Sequence, residues 1–398
     1  MNNETIFSTE NNIHADVYYK YPISISRGQG AKLWDSNGNE YLDFMGGYGV
    51  SVVGYNNAYV VEAIKRQSEQ LITCHSSLYN DARANFLENI LKISPLGLER
   101  IYIGNSGAEA VECAIKLARK YTGKQEIISM IGSFHGKTMG ALSLTWNPKY
   151  RNPFEPLLSD VKFIPFGDTK KAMDAISEKT AAIIVEPVQG ETGIHPAPDS
   201  YLSDLRQITE KNGSLLIFDE IQSGFGRTGK IWAHEHWGVI PDIMCTAKGI
   251  GGGLPLSCTI ATNEVMSKFK LGDHTSTFGG NPLSCAAGSA AIRFLLDHEL
   301  HKKAENIGAY MKDGLQSLNK SHKVTREVRG LGLMLALDLR FDVRQIILSG
   351  LKKGIILLYS GRNILRFLPP LVITEDEVDH GLSILDDILT EEDRTRFG

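Results

Sequence analysis

Residues 214–253 read SLLIFDEIQSGFGRTGKIWAHEHWGVIPDIMCTAKGIGGG. Two short apolar runs stand in this stretch, each with a charged residue at its exit. Leu215–Phe218 predicts a strand that ends on Asp219, and Asp242–Cys245 predicts a second, with Lys248 just beyond it. Working outward, Ile101–Ile103, Ile127–Ile131, Val161–Ile164, Ala182–Val185 and Cys258–Ala261 predict further strands. Helical patterns lie between them. The clearest is Glu109–Tyr121, where Ala110, Ala114, Leu117 and Ala118 recur at helical spacing. Alternation of this kind predicts an α/β fold with a mostly parallel seven-stranded sheet covered by helices. Ligands of such sheets sit beyond the carboxyl ends of the strands. The residues just after each strand should therefore carry the chemistry.

The two ends of the chain differ from this middle. Residues 1–55 hold short strand-like pieces, Lys32–Trp34 and Tyr41–Phe44, among many glycines. Beyond about residue 290 come two long helical stretches, then strand-like Met334–Leu339, Ile355–Leu358 and Leu365–Leu368. The expectation is a large domain over 56–290 and a smaller α+β domain made of 1–55 and 291–398. A chain of 398 residues suits two domains. With 42% hydrophobic and 22% charged residues it reads as an ordinary globular protein, and a net charge of −4 without charge runs speaks against nucleic acid as a partner. Cys74, Cys113, Cys245, Cys258 and Cys285 are scattered with no CxxC pair, which argues against disulfides or a zinc ribbon and for a reducing compartment. The polar start MNNETIFSTENN shows no secretory signal, and no apolar run reaches the ~18–20 residues that span a bilayer. A cytoplasmic location without membrane contact is expected.

Asp219 stands at a strand exit, where a carboxylate faces the ligand crevice, although an isolated aspartate there could equally cap a helix. Lys248 lies between an apolar strand and the glycines 249 and 251–253, which let backbone approach a ligand closely. The two are 248 − 219 = 29 residues apart, room for one crossover between neighbouring strands. Pyridoxal 5′-phosphate (PLP) chemistry needs this pair: a lysine amine of lowered pKa to form a Schiff base, and a carboxylate to keep the pyridine nitrogen protonated. The phosphate needs N–H donors at a helix start. GNSGAEA, Gly104–Ala110, follows a strand and opens a helix, with Ser106 and Glu109 spaced as a capping box. Phe134, after the strand ending at Ile131, is placed to stack on a flat ring.

NSGAEA, FHGKT (Phe134–Thr138), EPVQGETG (Glu186–Gly193), FDEIQSGFGRTG (Phe218–Gly229), AKGIGGGLP (Ala247–Pro255) and STFGGNP (Ser276–Pro282) stand in the order and spacing of one family. The chain resembles the class III aminotransferases from about Gly30 to Thr374. It is most similar to their acetylornithine/ornithine branch, which includes archaeal enzymes acting on ornithine or lysine precursors tethered to an amino-group carrier protein. The resemblance implies the fold-type I architecture, PLP as cofactor and a homodimer with shared sites. It implies that Lys248 holds the cofactor covalently and that Asp219 pairs with the ring nitrogen. Ile221 would pack under the ring, Gln222 would bond its hydroxyl, and Phe134 would stack on it. Ser106, Gly107 and Ala108 would cradle the phosphate, with Thr277 reaching it from the neighbouring subunit. Glu186 belongs to the same cofactor-binding set. Arg366, in LRFLPPL, would clamp the α-carboxylate of the acceptor, expected to be 2-oxoglutarate, and Glu191 would cover that arginine while the ω-amine donor is bound.

Two positions depart from the branch. Lys137 stands where FHGRT has arginine, a point charge in place of a bidentate fork. Tyr48, in GGYG, matches free-ornithine enzymes rather than acetylornithine ones. These two substrate-binding positions point different ways, so the donor stays open among ornithine, N-acetylornithine, carrier-linked ornithine or lysine, lysine and 4-aminobutyrate. Two rivals use other chemistry: a racemase or aminomutase on the same scaffold, and a catalytically silent binding protein. Three decoys fall away. Gly224, Gly226 and Gly229 spell GxGxxG, but no helix opens there. GRTGK lacks the Ser or Thr that a P-loop needs next, having Ile231. His234, Glu235 and His236 lack the HExxH spacing of a metal site and read as surface residues.

Overall fold

The computed structural model describes residues 3–398. Met1 and Asn2, counted in the expected N-terminal segment, lie outside the described residues. The seven predicted strands form one sheet, in the order Arg100–Gly104, Ser257–Ala261, Ile243–Thr246, Leu215–Asp219, Thr180–Val185, Glu126–Met130 and Val161–Ile164. Ser257–Ala261 runs antiparallel to both neighbours, and the remaining pairs are parallel. The five inner strands are buried along their whole length. That is why they read as mostly apolar runs instead of alternating ones.

The helix Gly107–Thr122 covers one face. Ser106 and Glu109 close its capping box, and Gly123, at φ +71°, ends it in a left-handed turn. Its buried stripe of Ala110, Val111, Ala114, Leu117 and Ala118 joins Ile127, Ile184, Ile217 and Ile243 of the sheet in one apolar cluster. The opposite face packs Tyr201, Leu202 and Leu205 of the helix Tyr201–Asn212 on Ile183, Leu216 and Phe218.

The ends of the chain meet. Ile25–Gln29, Lys32–Asp35 and Glu40–Asp43 form an antiparallel meander, and Ile355–Ile356 adds to it in parallel, Ile355 opposite Leu42. A second small sheet orders Thr325–Leu331, Met334–Leu339, Ile364–Phe367 and Leu358–Ser360. The helices Leu300–Ser321, Arg344–Lys352 and Glu375–Phe397 flank these strands. The helix Pro282–Asp297 runs across the expected boundary at residue 290, and one large apolar cluster takes in residues from both parts. Among the described residues no helix is long and apolar enough to cross a membrane.

Candidate active site

Four of the parallel strands deliver a singled-out residue to the same edge. Asp219 ends Leu215–Asp219, Glu186 follows Thr180–Val185, Phe134 follows Glu126–Met130, and Lys248 follows Ile243–Thr246. Arg100–Gly104 points the same way and leads into Ser106. Lys248 has φ +50°, a conformation that a non-glycine residue adopts at a cost of about 1–3 kcal/mol. Tyr48 (φ +59°), Ile194 (φ +59°) and Phe225 (φ +56°) share that strain.

Asp219 is buried, and each of its oxygens accepts one hydrogen bond. His135 Nδ1 donates to its Oδ2 at 2.7 Å, and the Ile221 amide donates to Oδ1 at 3.0 Å. A carboxylate only accepts, so the His135 proton sits on Nδ1, leaving the buried Nε2 without a partner among the described residues. Glu186 accepts from the Phe134 amide at 3.4 Å. Burial, and next the Asp219 carboxylate, push Glu186 well above the ordinary glutamate range. Lys248 keeps some accessible surface although protein surrounds it. That burial lowers its pKa, against the opposing pull of Asp219 and Glu186.

The neighbouring acid has another task. Glu220 is buried and accepts from Ser223 Oγ at 2.6 Å and from His234 through its amide at 2.8 Å and Nδ1 at 3.1 Å. His234 is therefore not a surface residue as its sequence context suggested. It is 3% exposed and ties the loop 220–234 back on itself, while Glu235 and His236 are exposed. Spacing along the chain carries no information on such burial.

Several polar groups here have no partner among the described residues. Gln222 Oε1 is buried and unpaired, and a Cβ on Gly190 would collide with it. The Gly107 and Ala108 amides, in the first turn of a 16-residue helix, have no acceptor among the described residues. Free amides at a helix start can take an anion. Ile221 packs onto that turn so closely that a Cβ on Gly107 would sit 2.9 Å from its Cδ1.

The opposite wall comes from the smaller part. Arg366, in the strand Ile364–Phe367, is 2% exposed. Its Nη1 donates to Gly190 O at 3.2 Å and stands 3.5 Å from Glu191 Oε2, while its Nε has no partner among the described residues. Tyr150 donates to Glu191 Oε1 at 3.3 Å, and Lys137 Nζ lies 4.1 Å from the centre of the Tyr150 ring. The Phe134 ring meets Tyr150 edge-on, centroids 6.2 Å apart. Tyr48 is 47% exposed; its partial burial, and next Tyr359, raise its pKa, and it also feels Arg366 and Glu191.

Thr277 is exposed and makes no hydrogen bond to its own chain among the described residues. Its neighbour Ser276 is tied to Asn105 at 3.0 Å, next to the helix start. Sequence reasoning missed His135 and Tyr150. His135 lies inside the quoted FHGKT, where a buried acid's need for a donor was the available signal. Tyr150 had no signal. Two open grooves, of about 350 and 470 Å³, share Ala63, Arg66 and Arg293 and contain none of these residues.

The family description "Aminotransferase class-III" matches residues 13–389. An acetylornithine aminotransferase of Methanopyrus kandleri is 45% identical over 379 residues, covering 94% of this chain and 96% of that one. A [LysW]-aminoadipate semialdehyde transaminase of Deinococcus radiodurans is 42% identical over 385 residues, covering 96% and 89%. Among solved structures, an ornithine aminotransferase of Toxoplasma gondii, described with PLP partly occupying its active site, is similar with a TM-score of 0.95. It is 32% identical and covers 99% of this chain and 96% of that one.

Proposed function

The chain belongs to the class III aminotransferases, and from that premise we propose that it moves the terminal amino group of an ornithine-like donor to 2-oxoglutarate, giving a semialdehyde and glutamate. It is a PLP-dependent transaminase. When bound, PLP supplies a carbonyl that takes up the amine and a ring that withdraws electrons.

The residues fit that group. Gly107 and Ala108 offer free amides for a phosphate, with Ser106 capping the same turn. Gln222 offers an unpaired oxygen for the ring hydroxyl. Ile221 and Phe134 supply apolar faces. Asp219, oriented by His135 and the Ile221 amide, would hold the protonated ring nitrogen. The raised pKa of Glu186 keeps a second carboxylate charge from accumulating beside Asp219. Lys248 would hold the cofactor, then carry the proton between the amine-bearing carbon and the cofactor. Burial lowers its pKa, which favours the neutral amine that accepts such a proton.

The Glu191–Arg366 ion pair carries the ω-amine reading. An open Arg366 would grip any α-carboxylate close to Lys248 and present the α-amine for reaction. Covered by Glu191, it lets a donor enter with its terminal amine first. 2-Oxoglutarate, whose carboxylate adjoins its carbonyl, needs Arg366 uncovered. The relatives' names support a donor of ornithine type, free, acetylated or carrier-linked, with an amino-group carrier protein as partner in the last case. A homodimer accounts for Thr277, which is exposed in a region where Leu71, Ile72, Leu78, Tyr79 and Phe278 also stand open. Arg83 binds these segments together through Cys74 O, Leu78 O and Gly280 O. Five unpaired cysteines suit the cytoplasm.

The test is a donor panel of ornithine, N-acetylornithine, lysine and 4-aminobutyrate with 2-oxoglutarate, following glutamate and the semialdehyde. Glutamate with loss of the terminal amine of an ornithine-type donor is expected. Loss of the α-amine, or no glutamate from any donor, would overturn the reading.

A further inference from the structure

The backbone around Glu191 is tied on both sides, while its side chain is 34% exposed. Its carbonyl accepts the Ser360 hydroxyl. Thr192 Oγ1 donates to Gly132 O at 3.2 Å, and Arg329 Nε donates to Gly193 O at 2.7 Å. Gly193 (φ +117°) packs where a Cβ would collide with Ile364, and Ile194 follows in the left-handed region. A segment pinned from both walls cannot swing as a loop without breaking these bonds. Glu191 therefore leaves Arg366 by turning its own side chain.

A carboxylate that gives up a guanidinium needs another donor. Glu191 already touches one. Oε2 faces Arg366, while Oε1 accepts the Tyr150 hydroxyl at 3.3 Å, long enough for the bond to shorten. Tyr150 is half-buried in the short turn Pro148–Arg151, which Asn147 caps. Phe134 meets its ring edge-on, and the Lys137 ammonium lies over its face. Burial, and next the Glu191 charge, push its phenol up to about 12, so it remains a donor at neutral pH.

We propose that Tyr150 is a positioning residue that retains the Glu191 carboxylate when Arg366 is surrendered to an incoming dicarboxylate. This rests on the proposed covering of Arg366 by Glu191. In the covered arrangement Tyr150 is one of two partners; in the uncovered one it is the protein donor Glu191 keeps. The bond, 3.3 Å while Arg366 shares the carboxylate, tightens once Tyr150 is the remaining donor, and this difference favours the uncovered arrangement. Lys137 serves here as the cation seated on the Tyr150 ring.

Glutarate binding to the holoenzyme, measured by titration calorimetry, tests this without turnover. Tyr150→Phe, which keeps the ring, should weaken glutarate about tenfold, equivalent to about 1.4 kcal/mol. Glu191→Gln should tighten it, and adding Tyr150→Phe to Glu191→Gln should have little further effect. Tyr150→Phe should also raise the KM for 2-oxoglutarate about tenfold while changing kcat about twofold or less. Unchanged or tighter glutarate binding in Tyr150→Phe overturns the inference, as does equal weakening in both backgrounds. If Glu191→Gln fails to tighten glutarate, the covering of Arg366 is itself wrong; if it tightens and Tyr150→Phe does nothing, only the role of Tyr150 falls.

Discussion

On the sheet side of the crevice, Asp219 is gripped by His135 and the Ile221 amide, Glu186 accepts the Phe134 amide, and Lys248 leaves its strand through a strained turn. On the opposite side, Arg366 keeps an unpaired Nε, and Glu191, 34% exposed, divides its oxygens between two partners. On the first wall Asp219 is held by bonds of 2.7 and 3.0 Å, from a buried imidazole and a half-buried amide, with no alternative partner at hand among the described residues. The second has bonds of 3.2–3.5 Å around its guanidinium and carboxylate, with a second partner at hand. The contrast follows from the chemistry each wall would face. The cofactor's ring is the same in both half-reactions, whereas the substrate carboxylate changes place between them.

If the sheet wall is the invariant one, damage there should abolish both half-reactions together. Lys248→Ala should lower kcat by about 10⁴-fold or more, the upper range for a lost acid–base group. Borohydride treatment of the unaltered protein should fix PLP on Lys248, read by peptide mass spectrometry; label on another lysine would contradict the assignment. Asp219→Asn should retain PLP through its phosphate yet lose about 10²–10³ in kcat, about 2.7–4 kcal/mol. Near-full activity would show that the ring nitrogen does not depend on this carboxylate.

Damage to the opposite wall should separate the halves. Arg366→Ala should raise the KM for 2-oxoglutarate about 10–100-fold, the equivalent of one charged hydrogen bond or slightly more. In single turnover, the donor half should proceed at close to its ordinary rate. A smaller effect is expected at the edge of the site, where Thr277→Ala should weaken PLP about fivefold, about 1 kcal/mol. Hybrid dimers of Thr277→Ala with Lys248→Ala chains locate its action. If Thr277 crosses to the neighbouring subunit, one site carries both lesions and the other is intact, leaving about half the activity. If it acts within its own chain, both sites are damaged.

The sheet wall was largely readable from sequence because it obeys a local rule. Asp219 and Lys248 each follow an apolar strand, and Ser106 and Glu109 announce their helix start within four residues. The opposite wall obeys no such rule. Arg366 and Glu191 stood out only by resemblance, since the residues that pair across the crevice are far apart in the chain. Ser360 anchors Glu191 from 169 positions away, and Tyr150 meets it across 41. His234 was misjudged for the same reason. Its surroundings read as polar, yet the loop 220–234 folds back and buries it against Glu220.

The central claim, that Glu191 decides which substrate Arg366 sees, is tested most directly by stopped-flow measurement of both half-reactions in Glu191→Gln. With Arg366 uncovered, the ω-amine donor should react less selectively, and glutamate should react through its α-amine about fivefold faster relative to that donor. The 2-oxoglutarate half-reaction should be preserved or improved. Equal slowing of both halves would show that Glu191 holds the site together and does not choose between substrates.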